Sequence, residues 1–338
     1  MGSYVPSNQE ERRQMLAALG IASMDALFDV IPPEMRLAGL DLPEGLSELE
    51  VSRLMRGVAA KNTVFASVFR GAGAYRHYIP AIVRAVATKE QFVTAYTPYQ
   101  AEISQGILQS IFEYQTMICR LTGMDAANAS VYDGATAAAE AVNMCREKKR
   151  NRALISATVH PMVRETVQTY CFGNGIELVT VPAKDGRTDA DALAAQLGDD
   201  VCCLYLQQPN YFGVIEDAAA LGAAAHAAGA KFVLGVHPIV CAALRSPAEY
   251  GADIAVGEGQ PLGMPLSFGG PYLGFMAAKD SLLRRLPGRI VGQTVDVDGK
   301  RAFVLTLQAR EQHIRREKAS SNICSNEALC ALTAAVYM

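Results

Sequence analysis

Six short apolar runs recur from residue 152 onward: RALISA (152–157), IELVTVP (176–182), VCCLYL (201–206), KFVLGV (231–236), ADIAV (252–256) and YLGFMAA (272–278). Each is largely continuous in apolar or β-branched residues, without a polar/apolar alternation. Such a strand must be covered on both faces. Between the runs lie helix-like stretches, the clearest being DAAALGAAAHAAGA (217–230). Strands separated by helices pair in parallel through crossovers, so the pattern predicts an α/β chain with a mostly parallel sheet between helices. FVLTL (303–307) adds one more candidate strand.

The first 120 residues have a different texture, with helix-like segments EERRQMLAAL (10–19), SELEVSRLMRGVAA (47–60) and AEISQGILQSIFEYQTMICRL (101–121) and no strand signal. In the third, Ile103, Ile107, Leu108, Ile111, Phe112 and Gln115 follow helical spacing, the mark of a packing helix. The expected organisation is an N-terminal helical arm and interface segment over 1–125, a large α/β domain over 126–310, and the start of a small C-terminal domain over 311–338. The last stretch, NEALCALTAAVYM, opens a helix.

Half of the 338 residues are hydrophobic, enough for a large core, and the net charge of −3 leaves no basic stripe for nucleic acid or an anionic membrane. The N-terminal MGSYVPSNQEERRQ is polar where a secretory leader would be apolar, and no apolar run approaches the ~18 residues of a membrane span. A cytoplasmic protein is expected. The eight cysteines form no C-x-x-C pair and the five histidines are scattered, so core thiols are expected and no metal site.

Standard nucleotide fingerprints fail, since GAGAYR (71–76) lacks the third glycine and no loop ends in G-K-[ST]. VYDGATAAAEAVNMC (131–145) runs from a strand-like start into a helix whose first turn holds Gly134, Ala135 and Thr136. Free N–H groups there can hold a phosphate, although an ordinary capped helix packed closely on the sheet explains the same residues more simply. AYTPYQAEISQG (95–106) sets Tyr96, Thr97, Tyr99 and Gln100 around the rigid Pro98. REQHIRREKASSNIC (310–324) ends a charged run in Ser320, Ser321 and Asn322. In GADIAVGEGQPLGMPLSFGGP (251–271) a strand runs into a loop of five glycines and three prolines, the usual setting for a site, yet the loop offers only the acid Glu258 and the hydroxyl of Ser267.

Taken in order, AYTPYQAEISQG, LTGMDAANAS, TAAAEA, GADIAVGEGQPLGMPLSFGGP and REQHIRREKASSNIC resemble the P-protein family of the glycine cleavage system, glycine dehydrogenase (decarboxylating). The likeness is to its non-catalytic half, the subunit 1 type of the two-chain bacterial form, and runs the length of the chain. It implies the fold type I pyridoxal-phosphate-dependent transferase architecture, with a seven-stranded-type sheet and a small C-terminal domain expected to be truncated here. It also implies a heterotetramer with two copies each of subunits 1 and 2. Glycine would condense with pyridoxal phosphate held on a lysine of subunit 2, lose CO2, and pass its aminomethyl group to the lipoyl arm of the H-protein.

In the catalytic half that lysine follows the strand matching ADIAV. Here the segment reads GEGQPLG, and no lysine occurs between Lys231 and Lys279. An amine is required for the covalent link, so the chain alone is expected to be inactive. The family's fold places an Asp against the cofactor ring nitrogen, where this chain has His237. The resemblance thus makes Gly134, Ala135, Thr136 and His237 vestigial cofactor-binding positions. By the same analogy Tyr96, Thr97, Tyr99, Gln100, Ser320, Ser321 and Asn322 are contributed to the partner's active site. The competing readings are an independent pyridoxal-phosphate enzyme, which the missing lysine opposes, and a pseudoenzyme binding module with a regulatory ligand in the remaining pocket.

Overall fold

Continuous apolar strands demand cover on both faces, and the computed structural model of the chain supplies it. The structure describes residues 7–37, 39–94, 98, 100–319, 321, 323 and 327–338. They divide into two compact units, the first ending at Val68 and the second running from Phe69 to Met338. The helix read at 101–121 and the whole of 126–310 belong to the second unit.

In the first unit, α1 (Gln9–Ala18) and α2 (Glu48–Ala59) each start at a capping box, Asn8 with Glu11 and Ser47 with Glu50. No described residue of this unit is buried. On α2, Val51, Leu54, Met55 and Val58 repeat at helical spacing and all stay exposed.

The second unit contains α3 (Ala81–Ala87), α4 (Gln105–Thr122), β1 (Ala126–Ala127), α5 (Gly134–Cys145), β2 (Arg152–Ser156), α6 (Pro161–Asn174), β3 (Glu177–Val181), α7 (Ala190–Gln196) and β4 (Val201–Gln208). It continues through α8 (Ala218–Ala227), β5 (Lys231–Val236), β6 (Ile254–Glu258), β7 (Gly274–Ala278), β8 (Ile290–Val295), β9 (Arg301–Thr306) and α9 (Ala328–Tyr337). Seven strands form one sheet in the order β3-β2-β4-β5-β6-β7-β1. β3, β2, β4, β5 and β6 are parallel, while β7 runs against β6 and β1 against β7.

The six runs are six of the seven strands. ADIAV is shifted: the strand is Ile254–Glu258, so Glu258 ends the strand instead of lying in the loop. The two-residue β1 and the strand β8, which with β9 makes a separate antiparallel hairpin, carry no such run. Ile103, assigned above to the stripe of the third helix, precedes α4 and is exposed; Ile107, Leu108, Ile111 and Gln115 are buried.

The core divides along the sheet. Leu154, Leu204, Leu206, Phe232, Leu234 and Phe275 point to one face and pack with α4, α8 and α9. Ala153, Ile155, Cys203, Tyr205, Val233, Ile254 and Met276 point to the other and meet α5 and α6. Alternate residues of each strand therefore serve opposite faces, which is why the runs read as unbroken. Helix α4 also secures the β8–β9 hairpin through two side-chain amides. Gln115 donates to Val291 O and accepts from Val291 N, and Gln105 does the same at Phe303.

All seven described cysteines are free thiols, and among the described residues no helix is long and apolar enough to cross a membrane and no metal-binding group of His, Cys, Asp and Glu occurs.

Candidate functional site

In an open parallel sheet the carboxyl ends of the strands face a crevice, opened where neighbouring crossovers leave in opposite directions. Here β2 leads outward to β3 and β4 leads the other way to β5. The loops leaving β2, β4, β5 and β6 therefore define the candidate site.

Past β2 and β4, a closed polar network fixes the loops. The buried Glu216 carboxylate accepts from Thr158 Oγ1 (2.8 Å), Thr188 N (3.0 Å), Thr188 Oγ1 (3.1 Å) and Asn210 Nδ2 (2.8 Å). Gln208 pins the same stretch by accepting from Glu216 N at 2.8 Å. His160 sits at the start of α6, its Nε2 3.0 Å from Ala72 O and its ring edge-on to Tyr211. None of this network is visible as a motif, because its members come from four segments.

Directly after β5, His237 brings its Nε2 to 3.4 Å from His77 Nε2, and Tyr75 meets the ring edge-on at 5.3 Å. Burial pushes the His237 imidazole down to about 4, and His77 adds to the shift. A neutral imidazole cannot provide the fixed negative charge expected of an Asp at this position.

At the end of β6 the geometry is tighter. Asp133 caps α5 by accepting from Thr136 N at 2.7 Å. The Gly134 N–H, which the sequence offers to a phosphate, donates instead to Glu258 Oε2 at 2.9 Å. Glu258 Oε1 accepts from Gln260 N (2.8 Å) and Leu273 N (3.0 Å). Gly134 is required here: a Cβ on it would stand 2.8 Å from Glu258 N and 2.9 Å from Glu258 Cβ.

Ser321 is drawn inward, its hydroxyl donating to Glu140 Oε1 on α5 at 2.9 Å. Gln100 lines a hollow of about 540 Å³ with Glu102, Ile103, Val304 and Gln308, beside the β9 strand. Tyr96, Thr97, Tyr99, Ser320 and Asn322 lie outside the described residues. The structure thus joins Gly134 and Thr136 to the end of β6 and sets His237 among aromatic rings of residues 75–77.

Glu140 is 3% exposed, and burial pushes its carboxyl up to about 7 against the pull of Ser321 and Asn143. The folded chain then holds a proton there that the unfolded chain releases. The associated stability, on the order of 3 kcal/mol, is full below the unfolded value and is lost as pH rises through about 7. Chemical denaturation at pH 5 and 7.5 should show Glu140→Gln gaining on the wild type at the higher pH. Equal pH slopes for both proteins would refute the assignment.

The fold is that of the fold type I pyridoxal-phosphate enzymes. An aspartate aminotransferase from Thermus thermophilus shares the fold with a TM-score of 0.52 at 15% identity, over 77% of this chain and 66% of its own. Within that class the chain belongs to the glycine cleavage system P-protein family, whose model matches residues 2–338. The probable glycine dehydrogenase (decarboxylating) subunit 1 of Moorella thermoacetica is 56% identical over 338 residues, 99% of this chain and 76% of that relative. A crystal structure of glycine decarboxylase (P-protein) of the glycine cleavage system, in inhibitor-bound form, matches with a TM-score of 0.94 at 48% identity, again over 99% and 76% of the two chains.

Pyridoxal phosphate does not fit the residues present. The loop after β6 has no lysine, the position directly after β5 holds an imidazole that burial keeps neutral, and the α5 N-terminus faces the carboxyl groups of Glu258 and Asp133.

Proposed function

We propose that this chain is the non-catalytic subunit of a glycine decarboxylase. It works in the cytoplasm, paired with a lysine-bearing subunit 2 in a heterotetramer of two copies each. Subunit 2 binds pyridoxal phosphate covalently, decarboxylates glycine and passes the aminomethyl group to the lipoyl arm of the H-protein. One observation carries this reading: in a P-protein family chain, the loop from Gly259 to Leu273 that joins β6 to β7 contains no lysine.

Two further features support pairing. The first unit buries none of its described residues and presents an apolar stripe on α2, as an arm does when its cover is another polypeptide. The hydroxyl- and amide-bearing positions Tyr96, Thr97, Tyr99, Gln100, Ser320 and Asn322 are our candidates for lending groups to the partner's site; Ser321, grouped with them in the sequence reading, spends its hydroxyl on Glu140 of this chain and would act by holding that segment in place. In this arrangement the first unit, ending at Val68, serves as the arm and 126–310 as the large domain, with α4 and α9, expected above in the arm segment and at the start of a small domain, packed on its sheet.

The test is glycine-dependent exchange of labelled bicarbonate, with H-protein supplied. We expect none from this chain, none from subunit 2, and exchange from the mixture. Exchange by this chain alone would overturn the reading.

A further inference from the structure

The mismatch between the fold's cofactor and this chain's crevice has a specific source at the end of β6. Glu258 does more than crowd the site. Its carboxylate takes N–H donors from three separate segments: Gly134 at the start of α5, Gln260 in the loop after β6, and Leu273 at the edge of β7. Three converging backbone amides, one of them on a helix N-terminus, form the kind of cradle that binds an anion from solution. Here the anion is part of the chain.

Its seat is firmly built. Gly259 N donates to Leu273 O at 2.6 Å, folding the loop so that the Leu273 N–H returns to the carboxylate. A Cβ on Gly259 would stand 2.9 Å from Leu273 O, and one on Gly134 would collide with the Glu258 backbone. The glycines therefore let the end of β6 press against the helix terminus, filling with protein the space an incoming phosphate would need. An anion reaching that terminus would also face the Asp133 carboxyl, which already holds Thr136 N.

We propose that Glu258 is a resident anion that replaces a phosphate group in this chain's own copy of the cofactor crevice. It keeps the α5 N-terminus and the β6–β7 loop in order without a ligand and denies the site to any free phosphate monoester. The biological sense of this, confining the cofactor to the partner, rests on the function proposed above. The structural claim does not, and its test involves no glycine turnover.

The experiment uses the 338-residue chain. Thermal unfolding of the wild type, Glu258→Ala and Glu258→Gln is followed against inorganic phosphate, with potassium chloride at matched ionic strength as control. The wild type should show no phosphate-specific shift. Glu258→Ala should melt lower in chloride and recover a saturable rise of about 2–4 °C in phosphate, as binding to the folded state alone requires. Equilibrium dialysis with labelled phosphate should find about one site per chain in the variant and none in the wild type. Glu258→Gln keeps the side-chain volume and loses the charge, so it should also gain a phosphate-specific rise, a smaller one. A variant that folds in phosphate but not in chloride supports the assignment. The proposal is overturned if Glu258→Ala gains nothing specific to phosphate, if the wild type gains as much, or if the variants fold in neither salt.

Discussion

The double substitution Leu54→Lys, Val58→Lys on α2 is expected to weaken association with the lysine-bearing subunit by at least ~100-fold, equivalent to about 3 kcal/mol. Val51, Leu54, Met55 and Val58 form the helix's only continuous apolar stripe, and all four are exposed in the chain by itself. Two ammonium groups in the middle of a buried patch remove apolar contact and add an unpaired desolvated charge each. The helix itself should survive. Lysine is a good helix former, and Glu50 lies four residues before position 54, a stabilising order for opposite charges. Size-exclusion of the mixed subunits should therefore show loss of the complex while circular dichroism of the single chain stays unchanged. An intact complex would show that the stripe faces elsewhere.

Glu216→Ala should cost the most stability of any single change near the crevice, about 2–5 kcal/mol. The carboxylate satisfies Thr188 N, Asn210 Nδ2 and two threonine hydroxyls at once, in a region with almost no access to water. The hydroxyls of Thr158 and Thr188 can turn to Ser156 Oγ, which lies 2.8 Å from each. The backbone N–H of Thr188 has no such alternative, while Asn210 Nδ2 keeps its second bond, to Gly186 O at 2.8 Å, so the orphaned Thr188 donor and one amide hydrogen of Asn210 carry most of the cost. Glu216→Gln retains one acceptor oxygen and should lose far less. Denaturant midpoints of the two variants decide the point: equal, small losses would mean that the network is not closed.

What could be read from the sequence follows a physical division. Strands buried on both faces announce themselves as unbroken apolar runs, so RALISA, VCCLYL and KFVLGV fall on β2, β4 and β5 with little error. β8 escapes notice because it belongs to a hairpin: its last four residues, Gly292 to Val295, are not buried, and it is anchored at Val291 by the amide of Gln115 on α4, more than a hundred positions earlier. The helix at 134–145 was legible, and so was its anion-binding start. What fills that start was not. Glu258 lies 124 residues from Gly134, and in sequence it is simply an acid in a glycine-rich stretch. The pairing of His77 with His237 spans 160 residues and is equally silent. The missing lysine, by contrast, is a negative fact about one loop, and the sequence states it completely. Long-range polar partners need the fold; an absent functional group does not.

That absent amine is the centre of the functional reading, and borohydride reduction addresses it directly. The co-purified two-subunit complex, loaded with pyridoxal phosphate, is reduced, digested and mapped by mass spectrometry. The expected result is a single pyridoxyl-lysine peptide derived from subunit 2, with every peptide of this chain unmodified. A stoichiometric pyridoxyl-lysine on this chain would contradict it.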